Sequence, residues 1–82
     1  MNNHDWAIFR MNYERVKEHV NANNRSECMD ISRSCYVRFG THGLSIYKYK
    51  NCKWLSKTVN GWRSLSYEQI RPIIQSEKWE EE

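Results

Sequence analysis

Between Arg33 and Arg71 this chain has one acidic residue, Glu68, against eight Lys and Arg, and it is short of much else besides. No apolar run approaches the roughly 20 residues a membrane-spanning helix needs. The opening segment, MNNHDWAIFRMNYERVK, lacks the uninterrupted apolar core of a secretory signal. Cysteine occurs three times, an odd number that suits no disulfide framework and points to free thiols in a reducing cytoplasm. Cys28, Cys35, His42 and Cys52 include no pair at the spacing of a zinc knuckle, so neither metal nor cofactor is expected. Nucleophilic catalysis by a Cys–His pair needs a third, orienting group and a shaped cleft, for which 82 residues with three glycines leave little room. The carboxylates are not paired around any pocket. An enzyme is therefore not expected.

What the chain does have is large and clustered. Four Trp, five Tyr and two Phe can each remove roughly 150–250 Å² from water on burial, which offsets a low mean hydropathy of −0.95. One domain over residues 1–82 with one modest core follows. Phe9, Tyr13, Val16 and Val20 recur at helical spacing, with Trp6 extending the stripe, and predict a helix over residues 5–21 capped by Asp5. Asn21-Ala22-Asn23-Asn24 ends it, because Asn tolerates left-handed geometry. Residues 22–34 show no sustained period and read as a loop or one short helical turn around Cys28, Met29 and Ile31. Cys35 to Phe39 then alternates, with Cys35, Val37 and Phe39 on one side and Tyr36 and Arg38 on the other.

Residues 44–65 carry the strongest signal. Ile46–Lys50, a tight connection at Asn51-Cys52, Trp54–Val59, then Asn60-Gly61 and Trp62–Leu65 read as an antiparallel meander, with Asn60-Gly61 as a hairpin turn. Trp62–Leu65 is the candidate fourth strand. Ser66 followed by Gln69 is a capping box, Leu65 and Ile70 form a staple, and Pro72 predicts a kink or a restart in the helix that follows. The architecture is thus α+β: an N-terminal helix, an antiparallel three- or four-stranded β-meander and a C-terminal helix. Helices Trp6–Val20 and Ser66–Trp79 would pack on one sheet face, leaving a basic, polar opposite face. Residues 77–82 form an acidic tail, read as a solvated end or as a competitor for an anionic ligand.

Tyr47, Lys48, Lys50, Lys53, Trp54, Lys57 and Arg63 are the candidate binding residues. In one reading the aromatics stack on bases or rings while the lysines meet phosphates; in the other the aromatics are core and the lysines guard sheet edges. Period two puts Tyr47 and Tyr49 on one side and Leu44, Ile46, Lys48 and Lys50 on the other. The stretch from Gly43 to about Lys78 resembles the three-stranded-sheet-plus-helix DNA-binding domains of some integrases and plant transcription factors, through its Tyr-Lys-Tyr-Lys strand, Lys53-Trp54 and Val59-Asn60-Gly61. That resemblance implies a sheet face entering a major groove, with Lys48, Lys50, Lys53 and Lys57 near DNA. The chain lacks the small-aromatic-turn motif that joins the third strand to the helix there.

A net charge of +3 falls short of a dedicated nucleic-acid binder. Richness in Asn, Lys, Tyr, Ile and Ser with little Ala, Gly or Pro is the composition of an AT-rich gene, common in phages and mobile elements. The expectation is a small cytoplasmic, non-catalytic accessory protein that binds and inhibits or redirects a host macromolecule, a protein ahead of a nucleic acid and with no membrane role. Host defence machinery is one such target. The alternative is direct DNA or RNA binding through residues 44–65.

Overall fold

A computed structural model describes residues 1–76 and 78–81 of the chain. Helix α1 (Asn3–Asn23) leads into strands β1 (Glu27–Ser32), β2 (Cys35–Phe39), β3 (Gly43–Lys50) and β4 (Lys53–Asn60). A 3-10 turn at Trp62–Ser64, helix α2 (Tyr67–Gln75) and a short strand β5 (Glu80–Glu81) complete it. The strands form one antiparallel sheet in chain order, β1-β2-β3-β4-β5. The α+β class and helix–meander–helix order hold, and the sheet has five strands instead of three or four.

Both helices cover one face of the sheet. Trp6, Phe9, Tyr13, Val16 and Val20 of α1 and Tyr67, Ile70 and Ile74 of α2 share a core with Val37, Phe39, Leu44, Ile46 and Val59. At its centre Trp62, Tyr13, Phe9 and Phe39 meet at ring separations of 5.4 to 6.5 Å. Their polar tips are served by backbone. Trp62 Nε1 donates to the Gly40 carbonyl at 2.7 Å, and the Tyr13 hydroxyl lies 3.1 and 2.8 Å from the carbonyls of Trp62 and Leu65. A buried aromatic with a satisfied polar tip holds one orientation.

Asn2 caps α1, not Asp5: the Asp5 amide donates to Asn2 Oδ1 at 2.8 Å. Asp5 falls instead in the first turn, where the helix dipole favours a carboxylate. The far end stops as expected, at Asn24 in left-handed geometry (φ 49°). The capping box at Ser66 and Gln69 is complete, with bonds of 2.8 and 3.2 Å in the two directions. Leu65 and Ile70 both pack on the core. Pro72 lies within a single helix that ends at Gln75, short of the expected Trp79. The one ladder bond it removes is to Glu68, and both residues are exposed.

Two local expectations are corrected, and a third, the tight connection at Asn51-Cys52, is met. β1 occupies the stretch read as aperiodic; only Met29 and Ile31 turn inward along this edge strand, too few to show a period, and a bulge interrupts its register near Ser32. Asn51-Cys52 is the hairpin turn, with φ of 54° and 62°, the two positive values a type I′ turn requires. At Asn60-Gly61 only Gly61 has positive φ (71°), so the chain leaves the sheet and delivers Trp62 to the core instead of returning as a strand. Gly40 is also required by close approach, since a Cβ there would lie 2.5 Å from the Gly43 carbonyl oxygen.

Candidate functional site

Cross-strand partners in an antiparallel sheet lie on the same face, so the register sorts the candidate residues into two groups. Leu44 and Ile46 are fully buried under the helices. Lys48 and Lys50 continue that side of β3, and the pairs Lys50↔Lys53 and Ile46↔Lys57 bring Lys53 and Lys57 to it. The pairs Tyr36↔Tyr47, Tyr47↔Ser56 and Tyr49↔Trp54 place the aromatics on the other side. The expected basic, polar face opposite the helices is therefore aromatic and polar. Lysines and aromatics that interleave along the chain separate in space because a strand alternates faces at every residue.

On the open face Tyr36 and Tyr47 stack at 4.6 Å with planes 14° apart. Trp54 meets Tyr36 edge-on at 5.6 Å and Tyr49 at 5.3 Å, so four rings form one plate. Tyr49 is 46% and Trp54 36% exposed, while Tyr36 and Tyr47 are half-buried. The other half of the face is polar. Arg38, Ser45 and Thr58 lie in one cross-strand row, with Ser45 Oγ 2.9 Å from Thr58 Oγ1. With His42 and Asn60 they line a shallow cleft of about 270 Å³. Arg38 is exposed and forms no ion pair among the described residues.

On the helix side three of the four lysines engage the C-terminal segment. The Lys48 ammonium sits 4.1 Å from the centre of the Trp79 ring. Lys53 pairs with Glu81 at 2.6 Å, and Lys57 donates to the Ser76 hydroxyl and to the carbonyls of Ser76 and Lys78. Partial burial, and then the nearby Lys50 charge, hold the Lys48 ammonium below its ordinary value. Glu80 and Glu81 thus belong to β5 on the β4 edge, not to a loose end; the expected tail also included Glu77 and Glu82, which lie outside the described residues.

Arg63 stands apart from the hairpin. Its Nε donates to Asn21 Oδ1 at 2.6 Å and its Nη1 to the Thr41 carbonyl at 3.1 Å, tying the end of α1 to the β2–β3 loop. Of the seven candidates only Tyr47 and Trp54 share the open face. Tyr49, weighed with them as a stacking residue, joins them there, as do Tyr36 and Arg38, which were not singled out for binding. The alternation in Cys35–Phe39 already put Tyr36 with Arg38; what it lacked was the pairing of Tyr36 with Tyr47.

Among the described residues no three His, Cys, Asp or Glu side chains are grouped to hold a metal ion. Cys28 and Cys52 are exposed, whereas Cys35 is buried and its thiol is pushed up to about 11, chiefly by desolvation. No described helix is long and apolar enough to cross a membrane. Comparison with protein-family models, with curated proteins and with solved structures finds no match for this chain. The integrase-like resemblance needs Lys48, Lys50, Lys53 and Lys57 on the face that enters the groove. The register puts all four on the helix-covered side.

Proposed function

We propose that this chain is a small non-catalytic binding protein that docks a partner protein on the open face of its sheet. The observation that carries this reading is the plate of Tyr36, Tyr47, Tyr49 and Trp54 with Arg38 beside it. Tyr, Trp and Arg are the residue types that dominate interface energetics, and a rigid aromatic plate costs little conformational entropy to immobilise. A nucleic-acid partner would draw on phosphate-neutralising lysines, and the hairpin lysines are directed to the other side. The composition of an AT-rich mobile gene supports a host protein as the partner, bound so as to inhibit or redirect it in the host cytoplasm.

The test is capture from nuclease-treated bacterial lysate by the wild-type chain, by Tyr47→Ala/Trp54→Ala and by Lys50→Glu, with mass spectrometry of what is retained. One protein retained by wild type and Lys50→Glu, and lost from the aromatic variant, is the expected result. Retention by all three would mean that the wrong face has been chosen. Direct binding of DNA, with affinity falling in log salt at about −0.9 per phosphate contact, would favour nucleic-acid recognition instead.

A further inference from the structure

The C-terminal segment is seated on the β4 edge in a way that defines what this edge accepts. Among the described residues β5 contributes two register pairs, Leu55↔Glu81 and Ser56↔Glu80, and both its residues are exposed. Continuing that register brings Trp79 opposite Lys57 on the helix side, where it is half-buried against the core with the Lys48 ammonium over its ring. Glu81 falls on the same side as Leu55 and meets Lys53. Three lysines of one sheet side thus contact Ser76 and Lys78 through their carbonyls, Trp79 through its ring and Glu81 through its carboxylate.

The Lys53–Glu81 pair is exposed and of a kind that is weak there, and the strand is far shorter than β4, which runs from Lys53 to Asn60. An edge strand with unpaired backbone groups is a template for strand addition. We propose that the β4 edge around Lys53–Ser56 is a strand-docking site for an extended, acidic partner segment carrying one aromatic residue. The chain's own residues 78–81 hold the edge in the free protein. This site shares the Trp54 backbone with the open aromatic face but uses the lysine side of the edge, and it does not rest on the function proposed above. A partner strand gains by being longer, since it adds ladder bonds that β5 does not make. The resident strand competes through an effective concentration in the millimolar range expected of a short tether.

The experiment uses the full chain and a labelled synthetic peptide, Ser-Glu-Lys-Trp-Glu-Glu-Glu, copying residues 76–82. Trp79→Ser/Glu81→Lys loosens the resident strand while leaving the edge and Lys48, Lys53 and Lys57 in place; circular dichroism checks that it stays folded. The expected result is that this variant binds the peptide at least tenfold more tightly than wild type in fluorescence anisotropy. Replacing the peptide's glutamates by glutamine should abolish that binding. Equal affinity for the two proteins, or no binding by the folded variant, overturns the proposal. Dimers of wild type in light scattering that vanish in the variant would overturn it too, since the occupant would then be a second copy exchanging its tail.

Discussion

Tyr13 is wholly buried beneath the helices, its hydroxyl held between two backbone carbonyls, while Tyr47 on the other side of the sheet is half-buried and stacked flat on Tyr36. The same contrast separates Trp62, with its indole nitrogen on the Gly40 carbonyl, from Trp54, more than a third exposed and leaning on two tyrosines. Aromatics of the covered layer are positioned by the fold and position it in return. Those of the open layer are positioned by one another on a sheet already built. Losing a ring there should therefore leave the fold standing.

The largest test of that difference is truncation. Trp62→Ala should cost about 3–5 kcal/mol, the range for deleting a buried large aromatic, and should leave much of an 82-residue chain unfolded in urea titrations followed by circular dichroism. Trp54→Ala should keep a cooperative transition with a loss of about 1 kcal/mol, the scale of its ring pairs. Equal losses would erase the distinction between the layers.

A second test concerns pH. Cys35, facing the covered layer, has its thiol raised from 9.0 to about 11 by burial. The unfolded chain therefore releases this proton first, so the Cys35 contribution is fully present below about pH 9 and is lost as pH rises through about 11. The expected loss across that window is of order 2 kcal/mol, measured as the difference in denaturation midpoint slope between wild type and Cys35→Ala. Identical slopes would place Cys35 outside the covered layer. Cys28 and Cys52, both exposed, should react with a thiol reagent in the native state while Cys35 waits for unfolding.

The smallest test removes single hydroxyls. Tyr13→Phe should cost about 1 kcal/mol, because it strands carbonyls in the core; Tyr47→Phe should change stability by less than about 0.5 kcal/mol. A double-mutant comparison of the two, read by thermal denaturation, sharpens the contrast to one oxygen atom on each side.

Much of the fold was legible because local signals agreed with tertiary ones. The 3.6-residue stripe of α1, the left-handed Asn24 stop, the Ser66–Gln69 box and the alternation in β2 are all short-range features, and each lies where its residues predict. Apart from the start of α1, which Asn2 caps in place of Asp5, failures fell where a distant partner decides. β1 exists because β2 offers it an edge to pair with, not because Glu27–Ser32 has a strand pattern of its own. Asn60-Gly61 carries the better hairpin dipeptide, yet the core claims Trp62 and pulls the chain out of the sheet, while the less favoured Asn51-Cys52 adopts the type I′ geometry. Of the candidate residues, the alternation along each strand was legible and the face each one occupies was not.

By itself the sequence determined that Tyr47 and Tyr49 stand on one side of β3 and Lys48 and Lys50 on the other, since alternation is a property of any extended chain. It determined the two apolar helical stripes as well. Which side of the strand meets water was decided only by tertiary structure. Both helices lay their stripes against Leu44 and Ile46, a side that joins Val37, Phe39 and Val59 into a continuous apolar surface. The aromatic side, interrupted by Arg38, Ser45, Ser56 and Thr58, would have buried polar groups in the core without partners. That choice set the rings facing solvent and turned the lysines toward β5.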